Sequence, residues 1–268
     1  MAPDVSIAVI GGGAMGEAIV LGWISSGAMA PEQIAIVESS AARRQHLSHL
    51  ERVAVTESPG AALPADIVML AVKPQVIEAL LAETGVALAG GLVVSIAAGW
   101  STAHLESLLP AGTRVVRVMP NMPAMAAQGM AIVSGGSEAS AADVETVTAL
   151  FSAIGQAVAV DERHQNAATA ISGSGPAYFA LVVDALARAG VDAGLPRDVA
   201  QTLAIQTMLG TAALLQSSGM HPEALVDSVA SPGGTTIAAL AELEAGGVRT
   251  AFNRAVRAAV ACAEELGS

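Results

Sequence analysis

Ser6-Ile7-Ala8-Val9-Ile10-Gly11-Gly12-Gly13-Ala14-Met15-Gly16 passes from an apolar run into glycines and then into residues with helical spacing. It reads as strand, tight turn and helix. Gly11 permits the turn, Gly13 leaves room for a diphosphate to approach backbone N–H groups, and Gly16 lets the helix lie close to the strand. The spacing G-x-G-x-x-G is weak by itself in a chain with 27 Gly. Its setting gives it weight, because the next β-branched run ends at Glu38, 22 residues beyond Gly16, the length of a βαβ unit that binds a dinucleotide.

Outward from this motif, short β-branched runs at residues 6–10, 34–37, 52–55, 67–72, 92–96, 114–119, 130–134 and 157–160 read as strands. Helical spacing of apolar residues at 16–25, 41–50, 74–82 and 102–109 separates the early ones. Such alternation predicts an α/β fold of Rossmann type, a doubly wound, mainly parallel sheet with helices on both faces. After Asp161 the pattern becomes helical throughout, at 178–189, 196–217, 223–230, 236–245 and 250–266. We therefore expect a dinucleotide-binding domain over 1–160 and an all-helical domain over 161–268.

Composition narrows the class. AVILMFWYC residues make up 53% of the 268 residues, aromatic residues 2% and charged residues 13%, which excludes a disordered chain. The long uncharged stretches at 85–100, 118–137 and 165–183 are each broken by Gly, Pro, Asn, Gln or Ser, so no membrane span is expected. A net charge of −12 speaks against nucleic acid as a partner, since no cationic surface is available to displace phosphate counterions. The N-terminal apolar run is preceded by Asp4 rather than a basic segment, and Cys262 is the single cysteine. Both fit a cytoplasmic location.

Two groups of residues bear on a cofactor. Glu38 at a strand end suits the ribose hydroxyls of NAD(H) and repels a 2′-phosphate, whereas Ser39, Ser40, Arg43 and Arg44 at the next helix start offer hydroxyls and guanidinium groups to one. NADP(H) and NAD(H) both stay open. Ala71-Val72-Lys73-Pro74 ends a buried run, and Lys73, the one lysine in the chain, falls at the carboxyl end of a parallel strand, where cofactors lie in such sheets.

With these residues collected, the chain resembles the pyrroline-5-carboxylate reductase family over nearly its whole length. The resemblance rests on Ala71-Val-Lys-Pro-Gln75, Ser95-Ile-Ala97-Ala98-Gly99, Arg117-Val-Met-Pro-Asn121-Met-Pro123, Ser172-Gly-Ser-Gly-Pro-Ala-Tyr178, Gly194-Leu-Pro196 and Ser231-Pro-Gly233-Gly234-Thr235-Thr236. It implies hydride transfer from NAD(P)H to C5 of L-1-pyrroline-5-carboxylate, giving L-proline. It also implies that Ser231, Gly233, Gly234 and Thr235 hold the substrate carboxylate while the Thr236 hydroxyl faces the ring nitrogen. Ala97, Ala98, Gly99 and Asn121 then belong to the cofactor crevice, and Glu162 to the substrate side. The chain departs from the family pattern at Met122, where Thr is common, and at Ser58 and Ser228, where Asn is frequent on the adenosine and substrate sides.

A β-hydroxyacid dehydrogenase shares the two-part plan but uses a lysine in its helical half, and none follows Lys73 here. A non-catalytic NAD(P)-binding regulator would not need the second glycine-rich loop. His46 and His49 lie three apart on a helix with no further ligand at metal spacing, so they read as solvated and no metal is expected. The apolar helical half predicts a homo-oligomer formed through it.

The charge of −12 opposes an anionic cofactor and an anionic substrate over a screening length of about 8 Å at physiological salt. Steady-state KM for the cofactor should fall as salt is raised from very low values, and a KM independent of salt would remove this electrostatic argument.

Overall fold

A computed structural model describes residues 5–266. Its strands are β1 (Ile7–Ile10), β2 (Ile34–Val37), β3 (Ala54–Thr56), β4 (Ile67–Leu70), β5 (Leu92–Ser95), β6 (Arg114–Met119), β7 (Gly129–Gly135) and β8 (Gly155–Ala159). Between them run α1 (Ala14–Ser25), α2 (Ala41–His46), α3 (Pro74–Thr84), α4 (Thr102–Leu108) and α5 (Ala141–Ser152), and after β8 comes α6 (Gln165–Ser172). All eight strands lie in one sheet of order β3-β2-β1-β4-β5-β6-β7-β8. The β6–β7 pair is antiparallel and every other pair is parallel. The Rossmann-type reading is thus correct. The third strand begins at Ala54 rather than Arg52, because Arg52 takes a left-handed φ of 69° that no strand accommodates.

The pattern of β1 shows why both faces are covered. Ile7 and Val9 enter one core with Ile19, Trp23 and Phe151, while Ala8 and Ile10 enter the other with Leu70, Ile77 and Leu81. Trp23 joins α1 to α5 by donating its indole N–H to the Leu150 carbonyl at 2.9 Å and meeting Phe151 edge-on at 6.0 Å between ring centres. The strand order reverses between β1 and β4, and at such a reversal the carboxyl ends of the strands part to leave a crevice.

The chain forms two compact units. One runs through Ser174 and takes in the chain from Ala259, and the other is Gly175–Ala258. Secondary structure changes where the sequence places the change, since no strand follows Ala159 among the described residues. Packing changes later, because α6 stays with the sheet. Gln165 is fully buried and donates to the Ile132 carbonyl and the Ser134 hydroxyl of β7.

The second unit contains α7 (Gly175–Asp192), α8 (Arg197–Ser218), α9 (Pro222–Val229), α10 (Thr235–Ala245) and the first part of α11 (Val248–Leu266). Only Gly175, Ala187, Ala200 and Ala204 are buried within it. The helical stretch 162–192 is long and apolar enough to cross a membrane by length and composition. A turn at Gly173–Ser174 divides it into α6 and α7, and α6 packs on β7.

The start of α5 is tied to β6 by charge. Burial pushes Asp143 up, but hydrogen bonds from the Ser140 hydroxyl and backbone N–H, with the Arg114 guanidinium 2.5 Å away, more than offset this and hold its carboxyl below the usual 3.8. A carboxyl lowered in the folded state contributes stability above its unfolded value that is lost as pH falls through the folded one. Urea denaturation midpoints should therefore drop as pH is lowered below 3.8, and in Asp143→Asn this drop should be shallower than in the parent chain. An equal acid dependence in both proteins would count against the assignment.

Candidate functional site

The glycine loop sits at the strand reversal because its backbone extends the sheet. The Gly11 N–H donates to the Val37 carbonyl at 2.8 Å, and the Ala71 N–H to the Ile10 carbonyl at 2.8 Å, which holds β1, β2 and the end of β4 together. Gly11 has φ +113°, and a Cβ there would lie 2.5 Å from the Ala71 carbonyl oxygen. Gly13 differs. It is exposed, with φ −65°, and a Cβ would meet nothing within 4 Å. No side chain caps α1, which leaves the N–H groups of its first turn, at Ala14 and Met15, without a capping acceptor next to the open space at Gly13. This chemistry fits a diphosphate, which backbone donors at a helix start bind without a positively charged side chain.

Of the residues expected at the adenosine end, Glu38 and Arg43 reach the same loop. Glu38 accepts from the Gly12 N–H at 3.0 Å and from the Ser40 N–H at 2.9 Å. Its charge is turned onto two backbone donors. Arg43 is not on a solvated helix face but reaches back to the Gly12 carbonyl through Nε and to Glu17 through Nη2, each at 2.5 Å. Arg44 is bound to the carbonyls of Glu38 and Ser39 and to Glu57. Ser39 is exposed beside them. Ser58 is exposed at the start of the turn Pro59–Ala61, where its carbonyl accepts from Thr56 Oγ1 at 3.3 Å.

Farther along the sheet, Ala71 and Val72 are half-buried against the glycine loop, and Lys73 is exposed at the start of α3, ahead of Pro74. Ala97 is buried beyond β5, and Ala98 and Gly99 line a cavity of about 210 Å³ with Arg117 and Met119 of β6, Asn166 and Thr169 of α6, and Cys262 of α11. The Thr169 hydroxyl is buried without a hydrogen-bond partner, so a polar group is available at this wall.

Two residues expected to touch ligands are already committed. Asn121 donates to the Ser172 carbonyl at 2.9 Å and accepts from the Met130 N–H at 2.8 Å, which pins the turn after β6. Glu162 accepts from the Thr102 N–H at 2.8 Å, from the Thr102 hydroxyl at 2.5 Å and from Arg117 at 3.2 Å. Both carboxylate oxygens are thereby occupied. Arg117 and Thr102 are 45 and 60 positions away from Glu162, so neither is legible as its partner from local sequence. Arg117, in the middle of the run 114–119, is the available signal, because a charge in a buried strand requires a paired charge.

In the other unit, the second glycine-rich loop turns tightly into α10. Gly234 N–H donates to the Ser231 carbonyl at 2.9 Å, Gly233 has φ +66°, and Thr235 and Thr236 form the first turn of α10. No side chain caps this helix either, and Ser231, Gly233 and Thr235 are exposed. Ser228 lies near the end of α9, donating to the Leu225 carbonyl.

Comparison with known proteins bears on both units. Residues 162–266 match a family model described as "Pyrroline-5-carboxylate reductase dimerisation", and residues 6–99 match one described as "NADP oxidoreductase coenzyme F420-dependent". The chain is 44% identical to a pyrroline-5-carboxylate reductase of Synechocystis sp., over 98% of this chain and 99% of that one. Its structure is similar to that of a pyrroline-5-carboxylate reductase of Coxiella burnetii, with a TM-score of 0.94, 34% identity, and coverage of 98% and 99% of the two chains. It is also similar to a Plasmodium falciparum pyrroline carboxylate reductase with NADP bound, at a TM-score of 0.88, 28% identity and full coverage of both chains, 100% each.

The free space at Gly13 separates fold from binding. Gly13→Val should leave the thermal midpoint nearly unchanged while weakening dinucleotide binding, read by cofactor fluorescence, by about tenfold or more, equivalent to ~1.4 kcal/mol. Unaltered binding in a folded Gly13→Val protein would show that the diphosphate lies elsewhere.

Proposed function

The chain belongs to the pyrroline-5-carboxylate reductase family, and from that membership we propose that it reduces L-1-pyrroline-5-carboxylate at C5 to L-proline with NAD(P)H. The full-length match carries this reading, because it spans both units, whereas a glycine-rich loop alone serves many dehydrogenases. The bound nicotinamide supplies the hydride.

The roles of the chain's own residues follow from their chemistry. Gly13, Ala14 and Met15 offer backbone donors to the diphosphate, and Gly11, Gly12 and Gly16 shape the loop around it by close packing. Glu38, Ser39, Arg43 and Ser58 border the adenosine, and the segments at Ala71–Pro74 and Ala97–Gly99, with Asn121 bracing its turn, border the nicotinamide end. The N–H groups of Gly233 and Thr235 with the Ser231 hydroxyl grip the substrate carboxylate, each charge-assisted hydrogen bond contributing about 1.5–3 kcal/mol, while Gly234 closes the turn through its own bond to the Ser231 carbonyl. Ser228 lies beside that grip. Thr236 orients the ring nitrogen. A cyclic imine is basic enough to arrive protonated, and the iminium is itself the electrophile, so orientation rather than a general acid provides most of the catalysis. Glu162 serves the substrate side through Arg117 and Thr102, since its own oxygens are occupied.

Assembly is part of the reading. Phe179, Leu181, Leu203, Leu209 and Val229 are more than half exposed in the unit Gly175–Ala258. A second copy covering these faces makes a homo-oligomer, in keeping with the description of the matched family model. The lone thiol Cys262 and the acidic charge fit a cytoplasmic enzyme without nucleic-acid or membrane partners.

Oxidation of NADPH and of NADH should be followed separately with pyrroline-5-carboxylate. Failure to oxidise either by a folded protein that still binds cofactor would sink the reductase reading. Arg43→Ala should raise KM for NADPH by about tenfold or more beyond its effect on KM for NADH, the tenfold being the value of one charge-assisted hydrogen bond to a 2′-phosphate and the shared effect that of the lost bond to the Gly12 carbonyl. Equal effects on both cofactors would remove Arg43 from that role.

A further inference from the structure

The fold brings to His46 and His49 the ligand that the local sequence lacks. Glu17, in the first turn of α1, points its carboxylate at both rings. His46 Nε2 and His49 Nε2 each lie 3.3 Å from the same oxygen, Glu17 Oε1. The three candidate ligand atoms all lie within 4.8 Å of one another. We infer that Glu17, His46 and His49 form a binding site for a divalent ion of the zinc class, independent of the reductase reading.

Tautomer chemistry carries the inference. His49 Nδ1 lies 2.7 Å from the His46 carbonyl oxygen, and a carbonyl only accepts, so Nδ1 bears the proton. In the neutral ring Nε2 then presents a lone pair to a carboxylate oxygen 3.3 Å away. Two lone pairs at that distance need a cation between them. A backbone carbonyl bonded to the far nitrogen also fixes the direction in which a metal-binding imidazole points.

The distances suit a small ion. Arms of about 2.0–2.1 Å to nitrogen and oxygen give tetrahedral edges of about 3.3–3.4 Å, which matches both separations from Glu17 Oε1. Arg43 occupies the other oxygen, Glu17 Oε2, at 2.5 Å and so leaves Oε1 as a single, directed ligand. Two imidazoles and one carboxylate oxygen select zinc, cobalt, nickel or copper over magnesium or calcium, which need several oxygens. Three protein ligands leave a fourth position for water. His46 and His49 are 58% and 47% exposed, so an ion can enter from solvent.

Chelator-treated full-length protein should be titrated with zinc chloride by calorimetry near neutral pH, and with cobalt(II) chloride by visible absorption. The expected result is one ion per chain, a four-coordinate cobalt spectrum and a raised thermal midpoint. Loss of an outer-shell partner already costs such sites about 10- to 100-fold in affinity, so loss of a ligand costs more. The double variant His46→Gln with His49→Gln should lose stoichiometric binding, the single His46→Gln should weaken it, and Cys262→Ser should keep it. Two results overturn the site: no zinc uptake by the parent chain, which leaves a proton on His49 as the shared cation, or undiminished uptake by the folded double variant.

Discussion

The structure depends on how closely one stretch of backbone can approach another at the end of β1. A Cβ at Gly11 would stand 2.5 Å from the Ala71 carbonyl, and one at Gly16 would stand 2.3 Å from the Gly11 carbonyl. Those separations are below any real carbon contact, so only glycine allows β1, the end of β4 and the start of α1 to meet. Their meeting places an uncapped helix start at the strand reversal. Glu38 can then bond the Gly12 N–H, Arg43 can reach the Gly12 carbonyl, and Glu17 is carried toward α2. Steric permission at two residues thus decides the surroundings of Gly12, Glu17, Glu38 and Arg43.

What could be read in the sequence was what depends on local periodicity. All eight strands lie where alternating and continuous apolar runs place them, because a sheet buried on both faces needs such runs. Two helices, α5 and α6, escape that periodicity. The residues of α5 and α6 carry several Ser, Thr, Asn and Gln, and the burial of Gln165 depends on acceptors in β7, about 30 residues earlier in the chain. Side-chain pairings resisted reading for the same reason. Arg43 to Glu17, Glu162 to Arg117 and Asn121 to Ser172 span 26, 45 and 51 positions. Residue type fixes what each group can bond, but only the fold brings the partner.

The abundance of small residues has one cause in each unit. In the sheet, glycines and alanines permit close approach around a loop. In α7 and α8, they form the contact itself, since Ala187, Ala200 and Ala204 are buried and a Cβ at Gly190 would lie 3.0 Å from that of Ala200. Helices that meet through alanine leave their larger side chains outward, and Leu181 and Leu209 are 70% and 58% exposed. Membrane-like composition is one consequence of such an arrangement. Asp184 and Arg188, paired at 2.7 Å on α7, are polar residues that a lipid-facing helix would have to bury.

Most of the charged side chains around the glycine loop and the cavity beside β6 are engaged with one another or with backbone, and this bears on how a chain of net charge −12 can hold two anions. Glu38, Arg43, Arg44, Arg117 and Glu162 each have partners within the fold. Their mutual neutralisation leaves little side-chain field at the loops. Under the proposed function, recognition then falls to N–H groups at the starts of α1 and α10, neither of which has a side-chain cap. Backbone donors carry a positive potential that no pH change within the working range removes. They are also fixed in direction by the helices, so they cost little ordering when an anion arrives. An acidic surface is compatible with anion binding for this reason, because the attraction acts over a few ångströms while the surface repulsion is screened beyond about 8 Å.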